Sequence, residues 1–326
     1  MKRFTTCWNA LGALLVCGMF VSGHVAAGGA IFESDFVENT IYKYTPNGTK
    51  STFATGLNEP TGLACDGSGD VFEADSNSGK IYKFTPAGVR TVFASGLNNP
   101  DFLAFNQSGV LFESDKGSGH IYEFTSNGTR STFASGVNGP TGLAFDGSGN
   151  LFVSKFQSPP AIYEFTPSGS QSTFADSLEL ADPQGLAFNT SGALFEADLN
   201  TGKIFKYAPD GTQSLFAAGL RIPVGLAFDN ANNLFATDTQ AGAIYEFTPN
   251  GVQSTFASGL QYPYDVAFSA VPEPSTLAVL SGGIAALVCG RSRRSAKRSV
   301  AARSAVYQAG LEESAALKNS CAACPR

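Results

Sequence analysis

Carboxylates and amides recur along this chain at a spacing that could assemble a cation site. Aspartates stand at Asp35, Asp75, Asp115, Asp198 and Asp238, each closing a short segment such as IFESD or LFEAD. A second set follows a series of prolines: Thr61, Asp101, Thr141, Gln184, Val224 and Tyr264, with Asp265 beside Tyr264. Calcium or a similar divalent cation takes several oxygen ligands of these types. Asp101 and Asp265 are the candidate metal ligands, and Gln184 and Tyr264 extend the candidate binding set. A plainer role stands beside this one: an aspartate also accepts backbone N–H groups of its own turn. Recurrence in five of six copies favours the turn role for the first set, and Asp101 has the same alternative. Beyond residue 27 the only histidine is His120, so a histidine acid/base pair cannot be built.

The segments that carry these residues are copies of one unit. IFESD, VFEAD, LFESD, LFVSK, LFEAD and LFATD begin at Ile31, Val71, Leu111, Leu151, Leu194 and Leu234, spaced 40, 40, 40, 43 and 40 residues apart. A fixed period near 40 marks a propeller or solenoid. Within each copy, short β-rich runs alternate with Gly, Pro, Asn and Asp, which reads as four antiparallel strands. The first is Leu-Ala-Phe, entered through Pro-x-Gly as in Pro140-Thr141-Gly142. The second is the marker segment, the third resembles Ile121–Thr125 and the fourth Ser131–Val137.

The strand count predicts a closed ring. No Leu-Ala-Phe strand precedes Ile31, whereas Val266-Ala267-Phe268 follows the last copy. Six complete blades require that Val266–Phe268 become the innermost strand of the blade begun at Ile31, which also removes an open edge. The expected fold is an all-β six-bladed propeller over residues 28–270. Pro140 to Asp146, then Gly149-Asn150-Leu151-Phe152 and the second-strand aspartates, resemble the NHL-type and gluconolactonase-like propellers. That resemblance implies, for the lactonase-like members, metal and substrate on the face where inner strands begin. Asp101 and Asp265 alone leave their carboxylate–amide–carboxylate set incomplete. Streptogramin lyases, similar in look, rely on histidine chemistry that His120 alone does not supply.

Charge narrows the partners. The chain carries −6 overall, with a basic end and an acidic body: residues 28–270 hold 11 Lys/Arg against 24 Asp/Glu, or −13. Such a body repels phosphate backbones, which excludes nucleic acid and leaves cations, polysaccharide or peptide as ligands. Of six cysteines only Cys65 lies in the repeat, where its siblings are phenylalanines, so it reads as a small buried hydrophobe rather than half of a disulfide.

Both ends read as targeting segments. Lys2, Arg3, the apolar run Leu11–Val21 and the small residues Val25-Ala26-Ala27 read as a secretory signal over residues 1–27, with an uncleaved anchor as the alternative. After the repeats come Pro272-Glu273-Pro274, the apolar run 277–290, and a basic cluster with Arg291, Arg293 and Arg294. In that order they resemble a PEP-CTERM sorting signal over residues 271–294. The resemblance implies export, an exosortase-type processing enzyme as partner and transient inner-membrane association through residues 277–290. A plain C-terminal anchor is the alternative. Residues 295–326 form a basic tail with Cys321 and Cys324, to which the sequence assigns no role.

One copy departs from the rest. The unit containing Leu151 ends its second strand on Lys155, and its two insertions fall in Lys155–Ala161 and Glu179–Asp182. Insertions in repeats gather on one face, often the binding face, although loop drift produces the same pattern. Lys155 and Phe156, near Pro159 and Pro160, therefore join the candidates for a sugar or peptide contact. Three functions follow: an exported binding or scaffold module, a purely structural surface component, or a metal-dependent lactonase- or lyase-like enzyme.

Overall fold

The computed structural model describes residues 29–176 and 179–269. The signal at 1–27, the sorting segment with Pro272, Glu273, Pro274, Arg291, Arg293 and Arg294, the run 277–290 and the tail lie outside the described residues.

Short β-rich runs, cut by turn residues every few positions, pair with their chain neighbours and give six four-stranded antiparallel sheets. They are the blades of a propeller, numbered here in chain order. Blade 1 holds Ile31–Asp35, Thr40–Tyr44 and Lys50–Thr55, and its inner strand is Pro263–Phe268 from the far end of the ring. Ile31 opposes Phe268, Phe32 opposes Ala267 and Glu33 opposes Val266, so the ring closes as the strand count requires. Ser269 N donates to Ala30 O at 2.9 Å and ties the two ends together.

The inner strands of blades 2 to 6 are Pro60–Cys65, Pro100–Phe105, Pro140–Phe145, Pro183–Phe188 and Pro223–Phe228. They begin at the entry proline, three residues before the Leu-Ala-Phe segment. The ladder skips a step between Pro140 and Leu143, and its counterparts do the same. Proline offers no N–H to a ladder, so it suits the opening of a strand. The step after it is freed to bond the next blade: Thr141 Oγ1 donates to Pro183 O at 2.9 Å, and Thr61 Oγ1 to Pro100 O at 3.1 Å. Here the strands crowd. A Cβ on Gly142 would lie 2.1 Å from Gln184 O, so this position admits glycine alone.

Between blades the core is aromatic. Phe112 meets Phe145 of the following blade at 4.9 Å, and Phe152–Phe188, Phe195–Phe228 and Phe235–Phe268 repeat that edge-to-face contact at 5.0 Å. Cys65 occupies the matching position beside Phe32 and is half-buried, with a free thiol that burial pushes up to about 12. Call the end of the ring where inner strands begin the upper face, and the end where they finish the lower face.

Candidate functional site

The recurring aspartates cap turns. Asp115 accepts Asn98 N at 2.7 Å through Oδ2 and Ser118 N at 2.9 Å through Oδ1. Asp35, Asp75, Asp198 and Asp238 make the same pair of bonds to the preceding link and the following turn. Blade 4 reverses the polarity. Lys155 Nζ donates to Gln157 O at 2.8 Å and to Pro159 O, so its ammonium is held by its own loop. The cation knits the inserted residues from the inside, as the carboxylates knit the other turns.

Departures from the repeat meet at the upper mouth of the channel. In blade 1 the residues after the entry proline, where most blades place glycine second, are Tyr264-Asp265. Tyr264 reaches past blade 2 and its Oη donates to Asp101 Oδ1 of blade 3 at 2.6 Å. Its ring stacks on Phe36 at 6.0 Å and tilts against Phe102 at 5.8 Å. Tyr264 also packs against the apolar cluster that holds Phe102 and Val224, so side chains fill the mouth. Burial, then the Asp101 carboxylate, hold the Tyr264 phenol well above its ordinary range, and it stays a neutral donor.

Asp101 is the hinge of the cluster. It is buried, and Lys116 Nζ pairs with its Oδ2 at 3.5 Å. The same ammonium lies 4.8 Å from the centroid of Phe156, over its face. Phe156 is half-buried and folds over blade 4's entry turn: a Cβ on Gly139 would fall 2.4 Å from its Cε1. On the neighbouring arc Gln184 Nε2 donates to Asp182 Oδ1 at 2.5 Å, and Asn200 Nδ2 to Asp182 Oδ2 at 3.3 Å. Burial raises the Asp182 carboxyl, opposed by Gln184 and by the charge of Lys116.

Asp265 is directed elsewhere. Its Oδ2 accepts Leu63 N of blade 2 at 2.9 Å, supplying an acceptor to the exposed edge of that inner strand. Burial lifts its carboxyl to about 7, against the two backbone N–H groups it accepts. Among the described residues no group of three or more His, Cys, Asp or Glu is arranged to hold a metal. His120 opens a third strand away from the mouth and stacks on Tyr122 at 5.4 Å.

Of the sequence candidates, then, Asp101, Tyr264 and Phe156 come together, joined by Lys116. Gln184 stands beside them with Asp182. Asp265 and Lys155 bond backbone. Phe36, Tyr262, Lys116 and Asp182 belong to this surface and were not singled out. Asp182 sits in the lengthened exit turn, which was a usable signal. Lys116 carries none, because a lysine after a turn aspartate is ordinary. Also unread in the marker segment were Glu33, Glu73, Glu113 and Glu196, which are wholly buried between blades with carboxyl oxygens that find no partner. Burial, then the aspartate two residues on, raises each of them well above the carboxylate range.

Comparison with known proteins adds a fold and a sorting motif. Among curated proteins none matches the chain. A chain in the crystal structure of a nidogen/laminin complex superposes with a TM-score of 0.68 at 21% identity, covering 75% of this chain and 99% of that one. A streptogramin B lyase superposes at 0.56 and 14% identity, covering 74% and 81%. A catalytically inactive histidine-to-alanine variant of virginiamycin B lyase from Staphylococcus aureus, with quinupristin, gives 0.55 and 18%, covering 65% and 75%. At these identities the likeness concerns the fold. Residues 270–294 match the family model of the PEP-CTERM protein-sorting motif, which is associated with exosortase processing. The chain is therefore similar to six-bladed propellers in its body and carries a PEP-CTERM sorting motif after it, which implies export to the cell envelope or surface.

Proposed function

We propose that this protein is a non-enzymatic binding or scaffold module of the cell surface or extracellular matrix, which takes a polysaccharide or peptide ligand on the upper face. In this reading residues 1–27 direct export. An exosortase-type enzyme processes the chain near Pro272-Glu273-Pro274. Residues 277–290 associate transiently with the inner membrane, and Arg291, Arg293 and Arg294 hold the cytoplasmic side.

One observation carries the binding role: side chains that break the repeat converge on one mouth. Tyr264, Asp101, Lys116 and Phe156 link blades 1, 3 and 4 there, with Phe36 and Tyr262 beside them. Half-buried rings next to fixed charges and amides are the composition of a recognition surface. The solved nidogen/laminin neighbour, named for a protein complex, is consistent with such a use of the fold. The likeness to lyases favours the second reading, a metal-dependent lactonase- or lyase-like enzyme using Asp101 and Asp265. It is weakened by Asp265 bonding Leu63 N and by the engagement of Asp101 with Tyr264 and Lys116.

The test is to probe the intact chain against arrays of envelope glycans and of peptides, then repeat with Lys116→Ala and Tyr262→Ala. We expect binding that each substitution weakens at least about tenfold, or about 1.4 kcal/mol. An intact chain that binds neither array would leave only the structural-component reading. Calcium-dependent turnover lost in Asp101→Asn would establish the enzyme instead.

A further inference from the structure

The lower face carries a cleft that the upper-face reading does not use. It lies where the inner strands of blades 3, 4 and 5 finish. A cavity of about 450 Å³ opens there, floored by Phe105, Phe145 and Phe188 and rimmed by Asn106, Gln107, Asp146, Asn189 and Thr190. Its volume falls in the range of small-molecule sites, about 300–1,000 Å³. A second cavity of about 270 Å³ runs outward along the seam between blades 4 and 5, past Phe152, Phe174 and Pro209. The two share Asp146, Gly147, Phe188 and Gly192, so they form one elongated depression.

The loops around the cleft are fixed on both sides and open between. Gln107 Nε2 donates to Gly147 O at 3.2 Å, joining the loops of blades 3 and 4. Asn232 Nδ2 donates to Thr190 Oγ1 at 2.5 Å, and Thr190 N to Asn232 Oδ1 at 3.2 Å, joining blades 5 and 6. Among the described residues no bond of this kind joins the lower loops of blades 4 and 5, and the smaller cavity lies along that seam.

The rim combines amides with one carboxylate: Asn106 and Asn189 flank Asp146, which lines both cavities. The first residue of this turn is Asp66, Asp146 or Asp229 in blades 2, 4 and 6, but Asn106 and Asn189 in blades 3 and 5. The acceptor role is kept. Asn106 Oδ1 takes Ser108 N and Val110 N, and Asn189 Oδ1 takes Ser191 N and Ala193 N. The exchange therefore leaves the turn unchanged and adds an Nδ2 donor on each side of the cleft. The lining of either cavity includes no cation; Asp146 lines both and Glu164 the smaller one. Such a site does not recruit phosphate, sulfate or uronate groups. Aromatic floors stack against the apolar faces of sugar rings, and amides bond hydroxyl groups.

From this geometry we propose that the lower face is a second ligand site, which binds a linear neutral saccharide along the cleft from the channel mouth to the seam between blades 4 and 5.

The test uses the intact chain in a detergent without a sugar headgroup, titrated calorimetrically with neutral linear hexasaccharides of glucose, mannose, galactose and N-acetylglucosamine. The informative variant is Asn106→Asp with Asn189→Asp, because the chain's own Asp66, Asp146 and Asp229 hold the same turn and the variant should fold. We expect saturable binding of at least one hexasaccharide, at least tenfold weaker in the double variant at unchanged melting temperature, and weakened again by Gln107→Ala. Lys116→Ala on the upper face should leave that affinity unchanged, which separates this site from the other. Absence of saturable binding, insensitivity to the double variant, loss on Lys116→Ala, or capture of peptides in place of saccharides would each overturn the proposal.

Discussion

The two faces of the ring are built by different rules. On the lower face the turns between third and fourth strands are closed by their own residues. Gly48, Gly88, Gly128, Gly169, Gly211 and Gly251 all donate to the carbonyl three residues back at 2.8 Å. Six copies of one local solution give six identical corners. On the upper face the turns answer to neighbours. Asp115 caps a link from the preceding strand, Lys155 fills an enlarged loop, and Tyr264 bonds a carboxylate 163 residues away. Local chemistry repeats faithfully because the closing bonds lie within the turn itself. Contacts that cross the channel exist once each, so the residues that make them break the pattern. The lower cleft obeys this rule too, since it opens where two turns exchange aspartate for asparagine.

This contrast can be broken by experiment. The largest effect is expected from Gly142→Ala, which drives a methyl against Gln184 O and should lower unfolding free energy by about 3 kcal/mol in a urea titration. A loss under 1 kcal/mol would mean that the upper crowding relaxes and does not hold the blades in register.

A smaller effect is expected with pH. Asp265 is lifted to about 7 by burial, from 3.8 in the unfolded chain. Its carboxyl binds a proton more readily in the folded state, so that stability is present below pH 4 and is lost as pH rises through 7. Glu33, Glu73, Glu113 and Glu196 act in the same direction. Urea midpoints should therefore fall between pH 4 and 7, and Asp265→Asn should fall less than the parent. Equal slopes would remove Asp265 from the account.

The smallest change belongs to the lower face. Gly67 has open space where a Cβ would stand and lies in a turn that needs no left-handed conformation. Gly67→Ala should be neutral or stabilise by about 0.4–1 kcal/mol through the unfolded chain. A melting temperature lowered by several degrees would show that the lower turns are not independent after all.

Much of the ring could be read in advance because its cause is local and repeated. The entry prolines, the turn glycines and the marker segments fixed the strand order, and the unpaired Val266–Phe268 revealed the closure. The inner strands proved longer than Leu-Ala-Phe, because the step after proline bonds the next blade rather than its own ladder, which no single copy discloses. The site was legible in part. Asp101, Tyr264 and Phe156 stood out as exceptions to a repeat, and exceptions are visible in one dimension. Lys116 was not, since its role depends on two partners from elsewhere in the chain. Nor were the buried glutamates, which are raised first by burial that only the packed blades supply and then by the aspartate two residues on.

What the sequence determined by itself was the period, the four strands within it and the number of blades, because turn chemistry and β-propensity act over a few residues. Only the tertiary structure decided which exceptions meet. Closing the ring set Tyr264 against Asp101 and turned Asp265 onto Leu63. The lower cleft likewise draws its lining from blades 3, 4 and 5, which no stretch of the chain shows on its own.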